Sequence, residues 1–215
     1  MASSVVRPLY FITMDEGPYD HLRQIGMACA AGIRWVQLRM KQAGDEVFLE
    51  TAAAAKKICD AHDCRLIIND RVEIARMVQA HGVHLGQEDL PVEAARRLLG
   101  DGFLIGGTAN TAVEIRKHYR QGADYIGLGP YRYTSTKKQL SPVLGLEGYR
   151  QILASLRRED IRIPVVAIGG ILAEDLEELL AAGVEGIAFS GLLVHATDKA
   201  GLVQRLRAET ERVTG

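Results

Sequence analysis

Three stretches of the chain gather side chains that can handle phosphate and metal. Gln37, Arg39 and Lys41 stand at alternate positions, so an extended backbone turns all three to one side. An amide and two cations there make a hydrogen-bonding face for an anion. Asn69-Asp70 comes next, and then the run His84-Leu85-Gly86-Gln87-Glu88-Asp89. Taken alone, each acid could cap a helix, Asp70 one over residues 72–79 and Asp89 one beginning after Pro91. Arriving together beside Arg39 and Lys41, they suit a mixed site in which Mg2+ takes carboxylate oxygens while water and phosphate complete its shell. His84 lies inside an apolar run, where a packed, hydrogen-bonded ring is expected rather than a catalytic base.

Further along, Gly129-Pro130-Tyr131-Arg132-Tyr133-Thr134-Ser135-Thr136-Lys137-Lys138 is the longest polar loop of the chain. Its hydroxyls are neutral donors and Lys137 is a compact positive charge, a combination suited to phosphate, and the glycine spacing of a nucleotide-binding P-loop is absent. A loop of this length and polarity is expected to close over bound substrate. Gly169-Gly170-Ile171 and Phe189-Ser190-Gly191-Leu192 offer backbone N–H groups, and paired glycines let a backbone approach an anion closely.

These residues need elements that bring them to one place. Short apolar runs rich in β-formers recur at 8–13, 34–39, 65–69, 82–86, 103–108, 125–129, 164–169 and 186–190. Between them lie stretches with apolar residues at helical spacing, such as Asp45–Ala61 and 173–182. Eight strand-helix units predict a single (β/α)8 barrel of the α/β class, here expected as one domain over 1–215, in preference to an open doubly wound sheet with two edges to protect. In such a barrel the C-terminal ends of the strands carry the active site, and each chemical motif above falls where an apolar run stops.

The composition agrees with a soluble enzyme. At 215 residues and 47% hydrophobic the chain supports one substantial core, and a net charge of -1 with no block of like charge speaks against nucleic-acid or membrane partners. Small-molecule substrates are the partners expected, and self-association into a homo-oligomer is compatible with the sequence. Cys29, Cys59 and Cys64 show no metal-ligand spacing and their odd number argues against a disulfide framework, so they read as small core residues in a reducing cytosol. No signal-like segment or run of about 20 apolar residues is present, so a cytoplasmic location is expected.

Taken in order along the strands, the motifs resemble those of the thiamine phosphate synthase family over essentially the whole chain. Gln37, Arg39 and Lys41 resemble its Gln-x-Arg-x-Lys, Asn69-Asp70 its Asn-Asp, residues 82–89 its Gly-Val-His-Leu-Gly-Gln-x-Asp, Thr134 to Lys137 its Thr-x-Thr-Lys, and Gly169-Gly170-Ile171 its glycine pair. The resemblance implies that Asp70 and Asp89 bind Mg2+, and that Gln37, Arg39, Lys41, Asn69 and Lys137 hold the diphosphate of 4-amino-5-hydroxymethyl-2-methylpyrimidine diphosphate. Thr134, Thr136 and Gly170 would hold a thiazole phosphate. The chemistry implied is departure of the diphosphate to leave a pyrimidinylmethyl cation, trapped by the thiazole nitrogen, with Arg39, Lys41, Lys137 and Thr108 as the catalytic set.

Two departures from the family pattern stand out. After the fifth strand many relatives carry a serine and a histidine where this chain has Thr108 and Asn110, so the hydroxyl is kept and a titratable group is not. After the eighth, the family's Ile-Ser pair matches either Phe189-Ser190 or Ser190-Gly191, which makes both Ser190 and Gly191 candidates. Two rivals remain open. A thiazole tautomerase of the same superfamily needs no diphosphate or metal site, and a catalytically silent thiazole phosphate binder needs neither the acids nor the full set of cations.

Overall fold

The computed structural model describes residues 8–133 and 142–214. Eight parallel strands close into a barrel in chain order: β1 (Leu9–Ile12), β2 (Trp35–Leu38), β3 (Arg65–Asn69), β4 (Gly82–Leu85), β5 (Leu104–Ala109), β6 (Tyr125–Leu128), β7 (Val165–Ile168) and β8 (Gly186–Phe189). β8 returns to β1 through the register Leu9↔Ile187, Tyr10↔Ala188 and Phe11↔Phe189. The crossovers are helices α1 (His21–Ala30), α2 (Asp45–Ala61), α3 (Val72–Met77), α4 (Val92–Leu99), α5 (Ala112–Arg120), α6 (Gly145–Arg158) and α7 (Leu176–Ala182). The short α8 (Gly191–Val194) and the final α9 (Lys199–Thr214) follow β8. This is the TIM barrel that the repeat of apolar runs predicts.

Because strand side chains alternate, each strand feeds two cores. Phe11, Val36, Leu38, Leu66, Ile68, Val83 and Leu85 point outward into the layer shared with the helices. Tyr10, Ile12, Trp35, Ile67, Tyr125, Val166 and Ala188 fill the barrel interior. There the Tyr10 ring stacks on Trp35 at 4.0 Å, and Tyr125 meets Trp35 edge-on at 4.8 Å, the second an arrangement that aromatic rings favour. The room for these rings comes from β5: a Cβ on Gly106 would collide with the Tyr125 ring and come within 2.5 Å of His84 Nδ1.

Two local expectations need correction. The alternation through Gln37, Arg39 and Lys41 does not continue as strand, because β2 ends at Leu38 and the Arg39 N–H goes to the Thr13 hydroxyl at 2.9 Å instead of to a neighbouring strand. The helix expected over 173–182 opens as a 3-10 turn over Ala173–Asp175 before α7. The Asp175 carboxylate accepts the Leu172 N–H at 2.7 Å and holds Arg132 through both guanidinium nitrogens, Nη2 at 2.6 Å. That pair ties the chain leaving β6 to the chain leaving β7.

Candidate active site

At the C-terminal ends of β2, β3 and β4 one lysine meets two acids. Lys41 Nζ pairs with Asp70 Oδ2, and Asp89, just past the end of β4, lies beside Asp70. Neither acid caps a helix: α3 and α4 have no side-chain capping bond, and their cap positions are Arg71 and Pro91. Asp70 instead adopts a left-handed conformation, φ +64°, while its N–H donates to the His84 carbonyl at 2.9 Å. Strain of this kind is tolerated where the surroundings over-determine it. Asp89 is fixed by the Gly86 N–H, 2.6 Å from Oδ2.

The electrostatics of the pair are uneven. Burial works to raise the pKa of Asp70, but the bond to Asp89 and the ammonium of Lys41 outweigh it and hold the carboxyl below its ordinary value. Burial and the neighbouring Asp70 together push Asp89 up to about 6. Lys41 is the one cation paired with these two carboxylates among the described residues. An oxygen donor set with more negative than positive charge, anchored on two adjacent strands, fits a hard dication such as Mg2+.

The cationic arm is held by β1. Thr13, which is buried, accepts the Arg39 N–H, and Asp15 Oδ2 accepts the Lys41 N–H at 3.2 Å. His21 braces both, its Nδ1 2.9 Å from the Thr13 hydroxyl and its Nε2 3.3 Å from Asp15 Oδ1. Among the described residues the Arg39 guanidinium has no ion-pair partner. Thr13 and Asp15 are polar residues just past an apolar run, the same signal that marks the other strand ends, and sequence reasoning passed over them.

A second set of bonds crosses the barrel interior. Gln37 Nε2 donates to the Tyr10 oxygen at 2.7 Å, the Tyr10 and Tyr125 oxygens lie 3.1 Å apart, and Tyr125 stands 3.2 Å from His84 Nδ1. His84 Nε2 reaches Thr108 Oγ1 at 3.0 Å. Burial raises the pKa of both phenols, so each keeps its proton. With Gln37 donating at one end, these groups form a continuous chain of hydrogen bonds across the interior from Gln37 to Thr108. Tyr10 and Tyr125 carry no sequence signal beyond a buried aromatic.

The remaining candidates divide. Asn69, buried at the end of β3, makes no side-chain hydrogen bond to the described residues. Asn110 is committed to the scaffold, its amide donating to the Gly129 carbonyl and its N–H to Glu114 Oε2 at 2.7 Å. Gly170 sits after β7 at φ +69°, and its carbonyl accepts from Arg132 at 3.1 Å. Phe189 is buried as the last residue of β8, whereas Ser190 and Gly191 form the turn into α8 and Ser190 makes no capping bond. Thr134, Thr136 and Lys137 lie outside the described residues, as does the second half of the loop expected to close over substrate.

Residues 9–193 match the family profile described as "Thiamine monophosphate synthase". The chain belongs to the thiamine monophosphate synthase family. It is 48% identical over 198 residues to the thiamine-phosphate synthase of Bacteroides fragilis, covering 92% of this chain and 97% of that one. Identity is 38% to that of Enterococcus faecalis, with 95% of each chain covered. The solved thiamine phosphate pyrophosphorylase of Pyrococcus furiosus superposes with a TM-score of 0.84 at 33% identity over 97% of both chains. A 3-hexulose-6-phosphate synthase structure, 16% identical with a TM-score of 0.67, shares the barrel alone. The activity that goes with this membership is thiamine-phosphate synthesis, a transferase reaction. The family uses Mg2+, and among the described residues no helix is long and apolar enough to cross a membrane.

Proposed function

We propose that the rim divides the reaction between two anion sites. On the β2–β4 side, Asp70 and Asp89 hold Mg2+, while Arg39, Lys41 and Asn69 receive the diphosphate of 4-amino-5-hydroxymethyl-2-methylpyrimidine diphosphate, joined by Lys137. Across the mouth, Gly170 and the Ser190-Gly191 turn receive the phosphate of 4-methyl-5-(2-phosphoethyl)thiazole, joined by Thr134 and Thr136. Gln37, expected among the diphosphate ligands, is buried inside the barrel on Tyr10, so it is assigned, with Thr108 at the other end of the interior chain of hydrogen bonds, to orienting the pyrimidine instead. The C–O bond to the diphosphate breaks first, and the thiazole nitrogen then traps the pyrimidinylmethyl cation, giving thiamine phosphate and pyrophosphate.

Charge grows on the departing oxygen, so the fixed cations of Arg39 and Lys41 stabilise the transition state more than the ground state. Bound Mg2+ supplies further neutralisation of that oxygen. No protein nucleophile is required. The observation that carries this reading is the Lys41–Asp70–Asp89 cluster on adjacent strand ends, which a thiazole tautomerase or a silent phosphate binder would not need. The test is turnover of the two substrates with Mg2+, followed by pyrophosphate release. Absence of thiamine phosphate, with the fold intact, would overturn the proposal.

A further inference from the structure

At the opposite end of the barrel, three cysteines far apart in sequence converge. Cys29 lies near the end of α1, Cys59 near the end of α2, and Cys64 immediately precedes β3. Their sulfurs all lie within 4.8 Å of one another, their exposures are 1%, 0% and 2%, and all three are free thiols. Sulfurs sharing one metal at bonds of about 2.3 Å stand roughly 4 Å apart, so this spacing is that of a common ligand set.

The number and kind of donors narrow the ion. Among the described residues no fourth histidine, cysteine or carboxylate joins the group. Zinc sites of this type are four-coordinate and tetrahedral, whereas three soft, almost fully buried sulfurs suit a soft monovalent d10 ion. The surroundings favour a cation as well, since α1 and α2 both end at the cluster and present the negative ends of their dipoles. A surface cavity of about 270 Å³ lined by Arg34, Asp60, Asp63, Cys64, Arg65 and His81 reaches Cys64 and gives an entry path.

We propose that Cys29, Cys59 and Cys64 form a binding site for one Cu+ ion, separate from the catalytic rim. The step is ligand exchange: Cu+ keeps its oxidation state, forms bonds to sulfur, and the thiol protons pass to solvent.

The experiment is anaerobic titration of the full-length protein with Cu+ buffered by a chromogenic chelator, followed by X-ray absorption at the copper edge. One Cu+ per chain, held against the chelator with sulfur as its only neighbours, is expected. Cys29→Ala, Cys59→Ala and Cys64→Ala should each lower affinity at least tenfold while circular dichroism keeps the native signal. Complete loss of Cu+ to the chelator, nitrogen or oxygen neighbours at the edge, preference for Zn2+ over Cu+, or undiminished binding in the triple variant would each overturn the site. Should a variant fail to fold, the absorption spectrum of the unaltered protein still decides.

Discussion

At the scale of single residues, the rim depends on charges placed where the substrate has charge to lose. Asp89→Asn keeps the size of the side chain and the acceptor for the Gly86 N–H but removes a charge that the proposed Mg2+ site uses. We expect the activity to fall by about two orders of magnitude or more, with Mg2+ affinity by calorimetry falling in parallel, and chelation to abolish turnover of the unaltered enzyme. Full turnover in EDTA would refute the metal assignment. Lys41 and Gly170 test the proposed division into two anion sites. Lys41→Ala removes a charge proposed to face the leaving group, so kcat and kcat/KM for the pyrimidine substrate should drop together while the KM for the thiazole phosphate barely changes. Gly170→Ala should chiefly raise the thiazole phosphate KM. It also carries a stability cost, because φ is +69° and a Cβ would stand 2.8 Å from that of Arg132; a side chain in this conformation costs about 1–2 kcal/mol. Steady-state kinetics on both variants, with thermal melts, distinguishes these effects, and equal weakening of both substrates by both changes would merge the two sites into one.

At the scale of elements, Thr13 and Asp15 hold the arm proposed to receive the diphosphate. The Arg39 N–H leaves the strand ladder for the Thr13 hydroxyl, and the Lys41 N–H is taken by Asp15, so the end of β1 positions the end of β2. Thr13→Val keeps the shape and removes the acceptor, leaving a backbone donor unsatisfied at a cost of about 1–3 kcal/mol. The expected result is a fall in kcat for the pyrimidine substrate with no charge removed, and rescue by Thr13→Ser. If Thr13→Val alters only the melting temperature and leaves kcat unchanged, β1 is scaffold and nothing more. This arrangement marks a limit of what was legible in the sequence. Alternation placed Gln37, Arg39 and Lys41 on one side of an extended chain, but it could not show that β2 stops at Leu38, because the Arg39 N–H is taken by a side chain that follows another strand. The acids were legible as strand-end residues. That neither caps a helix follows only from the conformations of Asp70 and Asp89.

At the scale of the whole molecule, the eight apolar runs were enough to read the barrel, because closure leaves each strand two apolar faces and writes a near-continuous run for each. What lies inside was less legible: Tyr10, Tyr125 and His84 meet only when β1, β4 and β6 face one another, and Cys29, Cys59 and Cys64 meet only when α1 packs on α2. The same closed packing sets how the fold responds to acid. His118 is buried, and its Nε2 lies 2.9 Å from the Thr108 carbonyl, so Nε2 carries the proton and Nδ1 is left buried without a partner among the described residues. His81 Nδ1 accepts the Leu66 N–H at 3.0 Å and has no lone pair to spare for a proton. Burial is the main cause that lowers the pKa of His21, His81 and His118 below the ordinary 6.5. With folded values below the unfolded one, the unfolded chain binds more protons in the window between them, so this stability is fully present above about pH 6.5 and is lost as pH falls toward the lower folded values. Calorimetry of the metal-free protein between pH 7.5 and 5.5 should show the melting temperature declining with acid. His118→Gln keeps a donor for the Thr108 carbonyl and cannot titrate, so its decline should be shallower, whatever its melting temperature at pH 7.5. A slope identical to that of the unaltered protein would mean that His118 is charged without penalty, and that its buried Nδ1 finds a partner on protonation.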